Sequence, residues 1–298
     1  MTKTLFDRSV DGIRVRQLIC VGDNDTLCPQ MHEEYEIYYQ NAGNNLFFLE
    51  GHTYQITGGD LLFINRNEIH KAGALSGFTG EVFSIHLEDE FFSLYPNGLP
   101  GFSFTDFFER NEGKLSLCKT DRASVEILFS DLEKEMSQPG SESREMVIGK
   151  LITLMLYKAK YKATDNMNIE YLLHPSYKKV DNVADYIAHN YRFDISLDCL
   201  SLDFYVNKSY LCRIFKKTTG YSVTEYTNAK RIQKSLSLLR NTGMNISRIA
   251  KECGFESTSS FDRAFRKYKG TTPLKYRNSL CANSQRELKS VTSSSILT

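Results

Sequence analysis

Two segments in the second half of the chain place basic side chains at matching positions. They are 204–226 (FYVNKSYLCRIFKKTTGYSVTEY) and 249–270 (IAKECGFESTSSFDRAFRKYKG). Arg213 and Arg263 correspond, and arginine can bind O6 and N7 of guanine with two hydrogen bonds, so both are candidates for reading DNA bases. The neighbouring cations are candidates for phosphate contacts, with a merely solvated helix face as the alternative for each. They are Lys216, Lys217, Arg266, Lys267 and Lys269.

The spacing within 249–270 predicts two short helices joined by a tight turn. Ile249 and Ala250 can pack inward, and Gly254 supplies the positive φ that a sharp turn needs. Ser257 is a typical N-cap for the second helix. One face of that helix is apolar, with Phe261, Ala264, Phe265 and Tyr268 at helical spacing. A polar, basic outer face on the second helix predicts a helix-turn-helix unit.

The same layout occurs 50 residues upstream. Leu211 corresponds to Phe261, Phe215 to Phe265, Gly220 to Gly270, and Tyr226 to Tyr276. Before the turn, corresponding residues of the two copies are 49 positions apart instead of 50. Leu200 then corresponds to Ile249, Ser201 to Ala250, and Val206 to Phe255. The two loops therefore differ in length by one residue. Such a duplication indicates a repeated structural unit, which is stronger support for helix-turn-helix units than either copy alone.

A long amphipathic segment connects the two copies. Within 222–243, five apolar residues recur at helical spacing, namely Tyr226, Ala229, Ile232, Leu236 and Leu239. A continuous helix here would hold the two units at a fixed separation. Two recognition helices on one rigid module can then enter successive major-groove segments, about 34 Å apart, on one face of DNA. Another helix opens this half, with Val180, Val183, Ala184 and Ile187.

Residues from about 177 to 278 resemble the DNA-binding domain of the AraC/XylS family of bacterial transcription regulators. The resemblance is carried by SYLCRIFKKTTGYSVTEY, KRIQKSLSLL, ISRIAKECGFES and FDRAFRKYKGTTPLKYR. It implies base-facing positions at Ser209, Cys212, Ser259 and Ser260 beside the two arginines. It also implies activation through recruitment of RNA polymerase. Ser201 departs from the family, which usually has alanine at this packing position.

The charge is divided unequally along the 298-residue chain. Residues 177–280 hold 19 Lys and Arg against 9 Asp and Glu, whereas residues 1–176 hold 16 against 26. A net charge near +10 on one half and −10 on the other suits a protein of which one domain meets a polyanion.

The cysteines and the N-terminus indicate the cytoplasm. Seven cysteines without a CxxC pair favour reduced thiols over a disulfide framework or a zinc finger. The first residues contain no apolar export signal, and no segment approaches the roughly 18 apolar residues of a membrane helix. We therefore expect a cytoplasmic protein without a membrane partner.

Short strands dominate the first half. The candidates are IRVRQLICV, YEIYYQ, NLFFLE, HTYQI, DLLFIN and GEVFSIHL, separated by turn residues. This pattern is typical of a β-sandwich or barrel, and residues 10–90 resemble the cupin-like sensor domain of the same family. The expected fold class is α+β: a cupin-like β-barrel followed by helices, then an all-α domain with two helix-turn-helix units joined by a long helix.

Three side chains of this predicted barrel are candidates for ligand binding. Cupin enzymes bind a metal with a histidine pair, a glutamate and a later histidine, and the matching residues here are Gln30, His32, Glu36 and His70. Because glutamine replaces one histidine and Arg66 stands where a proline is usual, we predict no metal or other cofactor. His32, Glu36 and His70 are instead predicted to bind a small polar effector, with a sugar as one candidate. Satisfied barrel-mouth residues are the alternative for all three, and for His86.

Two amphipathic segments follow the barrel. The first carries Val125, Leu128, Leu132 and Met136 on one face, and the second carries Val147, Leu151 and Leu154. These faces can cap the barrel or pair with a second subunit, and we favour a homodimer. The predicted domains are 1–118 (sensor), 119–161 (helical dimerisation or capping segment), 162–176 (linker), 177–280 (DNA-binding) and 281–298 (polar tail).

These patterns predict an effector-controlled, sequence-specific transcription regulator, more readily an activator, and not an enzyme. One alternative is a cupin-type metalloenzyme that carries a DNA-binding domain. Another is a protein-binding scaffold, which the positive charge of the second half disfavours. Neither alternative explains both the duplicated basic helices and the division of charge.

Overall fold

The computed structural model describes most of the chain, as two compact units, Met1–Lys178 and Lys179–Thr298. The described residues are 2–21, 28–73, 79–94, 103–110, 113–137, 140, 143–162 and 175–280. The predicted linker at 162–176 and the tail at 281–298 lie almost wholly outside them.

The first unit consists of two antiparallel sheets followed by helices, which confirms the predicted fold class. The larger sheet has the strand order β1-β2-β8-β3-β6-β9 and the smaller one β5-β4-β7. The strands are β1 (Thr2–Val10), β2 (Ile13–Val21), β3 (Tyr35–Ala42), β4 (Asn44–Leu49), β5 (His52–Thr57), β6 (Asp60–Ile64), β7 (His70–Ala72), β8 (Thr79–Leu87) and β9 (Gly113–Ser116). The helices are α1 (Asp89–Leu94), α2 (Phe104–Arg110), α3 (Lys119–Ser137) and α4 (Ser143–Lys162).

Strand β3, in the middle of the larger sheet, is buried on both faces from Tyr35 to Gln40. Successive side chains of a strand point to opposite faces. Ile37 and Tyr39 belong to the core shared with the helices. Tyr38 belongs to the core between the sheets, with Phe47 of the smaller sheet. Glu36 shares the face of Tyr38, and a carboxylate is thereby placed in the interior.

The helices after the sheets bury their apolar faces within the chain. Val125, Phe129 and Leu132 of α3, together with Leu151 and Leu154 of α4, are fully buried in one core with the larger sheet. The face that was predicted either to cap the barrel or to pair subunits therefore packs on the sheet. A dimer through these helices would have to use other residues.

All six predicted strands are present, and the described residues contain three further strands that were not predicted. β1 forms a hairpin with β2 at the edge of the sheet, where its side chains are mostly exposed, so it lacks an apolar pattern. β7 has only three residues. β9 pairs with β6 although about 50 residues separate them, and local periodicity does not record such a pairing.

The second unit is all-helical within the described residues. Its helices are α5 (Pro175–Asn190), α6 (Leu197–Asp203), α7 (Lys208–Thr219), α8 (Val223–Asn241), α9 (Ile246–Glu252), α10 (Thr258–Lys269) and a last helix, 273–280. The residues predicted to face inward on the connecting helix α8 are buried: Tyr226, Ala229, Ile232, Leu236 and Leu239. The long connecting helix is thus confirmed.

The two turns have the same backbone hydrogen bonds at an offset of 49. Val206 N donates to Ser201 O at 3.0 Å, and Phe255 N donates to Ala250 O at 2.9 Å. The centre of each turn has positive φ, +50° at Tyr205 and +83° at Gly254. The N-caps that follow are Asn207 and Ser257, so the second loop is longer by one residue, as predicted.

Two further observations bear on the predicted surroundings of the chain. Six cysteines in the described ranges form no disulfide: Cys20, Cys28, Cys118, Cys199, Cys212 and Cys253. No helix of the described residues is long and apolar enough to cross a membrane.

Candidate nucleic-acid interface and effector cavity

The two predicted base-reading arginines occupy equivalent, exposed positions. Arg213 is the sixth residue of α7 and Arg263 the sixth of α10. Ser209 and Ser259 are exposed on the same helices, while Cys212 is half-buried. These side chains occupy the outer faces because Leu211, Phe215, Phe261 and Phe265 fill the core beneath them.

The Ser260 hydroxyl already has partners within its own helix. It donates to Ser257 O at 2.8 Å and accepts from Ser257 N at 3.3 Å, while the Ser257 hydroxyl accepts from Ser260 N. This reciprocal pair is a capping box, which satisfies amide groups that the first turn leaves without intrahelical partners. Ser260 therefore has a structural role that its sequence position did not indicate.

Lys267 joins the second recognition helix to the connecting helix. Its Nζ lies 2.8 Å from Glu225 Oε1, and the Tyr268 hydroxyl donates to Glu225 O at 2.7 Å. Glu225 is also the third residue of the capping box that starts at Ser222. The Lys267 ammonium and the Ser222 amide hold the pKa of the Glu225 carboxyl at about 2. This contact fixes α10 against the start of α8. The sequence did not indicate this structural role, because Lys267 lies among other cations on the basic face of α10.

We predict that the contribution of Glu225 to stability disappears in acid. Because its pKa is lowered in the folded state, the stabilisation is full above the ordinary value of 4.5 and is lost as the pH falls toward 2. Glu225→Gln keeps a capping side chain without the charge. The difference in unfolding free energy between the wild type and this variant should therefore shrink steadily over that range.

Chemical denaturation at a series of pH values measures this difference. Asp203→Asn, at an exposed carboxylate at the end of α6, is the matched control. A difference between wild type and Glu225→Gln that stays constant down to pH 2 would show that the ion pair with Lys267 contributes nothing.

Arg231 is a positioning residue that the sequence analysis missed. Its guanidinium donates to Tyr191 O at 2.7 Å and to Phe193 O at 3.0 Å, and it lies over the Phe255 ring at 5.6 Å. It thereby ties the segment after α5 to α8 and to the second turn. The only sequence signal was a cation bordering the apolar face of α8.

The first unit contains a small cavity between its sheets, lined by polar side chains and by apolar ones such as Leu18, Phe47 and Val82. Its volume is about 160 Å³. The residues that line it include Arg16, Gln30, Glu36, Tyr38, Asn45, His70, Lys71 and His86. Both amide atoms of Asn45, Arg16 Nε and His86 Nε2 are buried without a hydrogen-bond partner. Buried polar atoms are costly when unpaired, so this cavity is suited to a ligand that supplies hydrogen-bonding groups.

The structure brings the three predicted effector residues together. Glu36 Oε2 lies 3.2 Å from His32 Nε2 and 3.4 Å from His70 Nε2. Glu36 and His70 line the cavity, and His32 joins the cluster through Glu36. His70 Nε2 also lies 3.2 Å from Gln30 Oε1. The clustering of His32, Glu36 and His70 makes them suitable for the predicted polar site.

A fourth member of the cluster, His86, was set aside in the sequence analysis. The register of β3 and β8 places His86 directly opposite Glu36, with His86 Nε2 3.8 Å from Glu36 Oε1. Arg66, the departure from the cupin pattern, pairs with Asp89 at 2.8 Å. Its guanidinium also lies over the rings of Tyr35 and Phe92, so Arg66 is engaged outside the cluster.

The charges of the cluster stabilise one another. Burial lowers the pKa of His32, but the Glu34 and Glu36 carboxylates outweigh burial and raise it to about 10. Burial raises the pKa of Glu36, but the surrounding histidines hold it well below its ordinary value. Burial lowers the pKa of His86.

A cavity with buried polar side chains in one unit and duplicated helix-turn-helix units with basic outer faces in the other define an effector-controlled, DNA-binding transcription regulator. Family models agree with both parts: "AraC-like ligand binding domain" matches residues 22–155 and "Helix-turn-helix domain" matches residues 200–279. The chain belongs to the AraC/XylS family of transcription regulators.

Curated relatives match along most of their length. The chain is 24% identical over 287 residues to the HTH-type transcriptional activator RhaR of Escherichia coli, covering 91% of this chain and 94% of that protein. It is 24% identical over 249 residues to RhaR of Mannheimia succiniciproducens, covering 83% and 86%. Among solved structures, ToxT of Vibrio cholerae aligns over 94% of this chain and 97% of its own, with 15% identity and a TM-score of 0.35.

Proposed function

We propose that the chain is a transcription activator that reads a two-part DNA site with α7 and α10. The observation that carries this proposal is the equivalent, exposed placement of Arg213 and Arg263 on two helices built alike. Ser209, Cys212 and Ser259 contribute to base contacts beside them. Lys216, Lys217, Arg266 and Lys269 contact phosphates. Lys267 does so only by exchanging its Glu225 partner for DNA.

The effector site in this proposal is the cavity of the first unit. A small polar molecule, with a sugar as one candidate, would satisfy Asn45, Arg16 and the histidines that line it. A differential affinity of the effector for two states of the protein would change DNA occupancy. In this proposal the predicted sensor domain, 1–118, binds the effector, and the predicted DNA-binding domain, 177–280, binds DNA.

The remaining partners follow from regulation of transcription. An activator recruits RNA polymerase, and a homodimer presents two copies of the DNA-binding domain to adjacent half-sites. Such a protein acts in the bacterial cytoplasm, where the DNA is. It needs no catalytic activity, and the named relatives are transcriptional activators.

Selection from a random duplex DNA library with the full-length chain tests DNA reading. We expect a two-part consensus whose halves are spaced near one helical turn. Binding that is weak, steeply salt-sensitive and indifferent to sequence would contradict it, because phosphate contacts alone carry no sequence information.

A thermal-shift screen of monosaccharides and other small polar compounds tests the sensor. A binding compound is expected to raise the melting temperature of the wild type and not that of Asn45→Leu, and to change affinity for the selected DNA. Thr57→Val, at an exposed position on β5, is the control. A compound that binds the cavity and leaves both DNA affinity and transcription unchanged would refute the coupling.

A further inference from the structure

The histidine and glutamate cluster at the edge of the cavity has the dimensions of a metal-binding site. Nε2 of His32, His70 and His86 lie 3.2, 3.4 and 3.8 Å from oxygens of the single Glu36 carboxylate. Ligand atoms about 2.0–2.1 Å from a tetrahedral ion are separated from one another by about 3.3 Å. The distances of His32 and His86 to the Glu36 carboxylate, 3.2 and 3.8 Å, bracket this value. Ligand atoms of His32, Glu36 and His86 all lie within 4.8 Å of one another.

Two of the histidines already have the orientation that metal ligands adopt. His32 Nδ1 lies 3.1 Å from Glu34 O, and His70 Nδ1 lies 3.0 Å from Glu68 O. A ligating histidine usually donates its other ring N–H to a carbonyl or carboxylate, which fixes the tautomer and directs the free nitrogen at the ion. Backbone carbonyls hold both rings so that Nε2 faces Glu36.

The position of the His86 ring is not explained by ion pairing with Glu36 alone. Its Nε2 is buried and has no hydrogen-bond partner, although β-sheet register holds the ring beside Glu36. A buried ring nitrogen of this kind needs a partner. An ion placed between His32, Glu36 and His86 would supply it and would satisfy the carboxylate as well.

We propose that His32, Glu36 and His86 bind a divalent first-row transition metal ion. Two imidazoles and one carboxylate suit Fe²⁺, Co²⁺, Ni²⁺ and Zn²⁺ better than Mg²⁺ or Ca²⁺, which prefer oxygen ligands alone. Glu36 and His86 line the cavity, so the remaining coordination position is open to water or to an oxygen of an effector. His70 and Gln30 also line that cavity. The site departs from the cupin pattern, because His86 and not the residue at position 30 completes it.

The proposed ion differs from the prediction, made from the sequence, that this barrel holds no metal. That expectation rested on the replacement of one motif histidine by Gln30, and a histidine from β8, 50 residues along the chain from Glu36, takes its place. The proposal concerns metal binding itself and does not depend on the proposed coupling between effector and DNA.

Titration with Co²⁺ of the full-length chain, without an affinity tag and after treatment with a chelator, tests the proposal. We expect one Co²⁺ per chain, with a visible d–d absorption band that one equivalent of Zn²⁺ removes. His86→Ala and Glu36→Gln are each expected to weaken Co²⁺ binding by about 100-fold or more, since even residues behind the ligands contribute 10–100-fold. His52→Ala removes an exposed histidine of β5 and should bind like the wild type.

Circular dichroism melting and binding to the selected DNA report whether each variant is folded. Because Glu36 is buried, its replacement is the change with the greater structural risk, and His86→Asn then provides the decisive comparison. Absence of a Co²⁺ band in the wild type would overturn the proposal. So would equal Co²⁺ affinity of the wild type and the folded His86 variants, because the ion would then be held by other side chains.

Discussion

Arg263→Ala is expected to weaken binding to the selected two-part site by about 1–3 kcal/mol, roughly 5- to 150-fold. The exposed guanidinium of Arg263 lies on the outer face of α10, away from the buried Phe261 and Phe265. Its removal should relax base preference only in the half of the site that α10 reads. Arg213→Ala should have the same effect on the other half, because the two residues occupy equivalent positions of equivalent helices.

Competition binding against a library of single-base variants measures both the affinity and the relaxed position. Arg240→Ala, at an exposed arginine of α8, is the control and should change specificity at neither half. Replacement of Lys216 should instead weaken binding to all sequences alike and reduce the salt dependence by about one phosphate contact. If Arg213→Ala and Arg263→Ala both weaken all sequences equally, these arginines contact phosphates and do not read bases.

Gly254→Ala is expected to destabilise the second helix-turn-helix unit by at least about 2 kcal/mol. The residue has a φ of +83°, and an added Cβ would lie 2.7 Å from both Cα and O of Arg192. The obstacle is backbone, which cannot move aside as a flexible side chain can. The same displacement would disturb the contacts of Arg231 with Tyr191 and Phe193, and so the position of α10.

The matched change in the first unit is Tyr205→Gly, at the position that corresponds to Gly254. Tyr205 has a φ of +50° and is 92% exposed as a residue, so glycine should relieve backbone strain and lose little packing. We expect stabilisation of up to about 1 kcal/mol. Urea denaturation of both variants measures the two changes in the free energy of unfolding. In DNA binding, Gly254→Ala should first lose base preference in the half of the site that α10 reads. Equal stabilities of Gly254→Ala and the wild type would show that the second turn does not need glycine.

The second unit was predictable because its information is local and occurs twice. Apolar spacing located α8 and α10, glycines marked their turns, and the one-residue difference between loops is visible in the offset between copies. Charged side chains that form ion pairs or hydrogen bonds in the folded protein are harder to recognise from the sequence. Lys267 and Arg231 look like ordinary surface cations until folding brings Glu225 beside Lys267 and the carbonyl oxygens of Tyr191 and Phe193 beside Arg231.

The sequence by itself determined the family, the duplicated helices, the six main strands and the presence of His32, Glu36 and His70 at one site. The duplicated helices and the strands follow from spacing within about 50 residues and from turn chemistry, whereas the family and the three site residues follow from the resemblance of their motifs to known families. Only the tertiary structure decided that His86 joins that site, because the β3–β8 register sets its partner, and strand pairing is not recorded in local periodicity. It also decided that the apolar faces of α3 and α4 cover the sheet, since an amphipathic stripe predicts burial without specifying the surface that buries it.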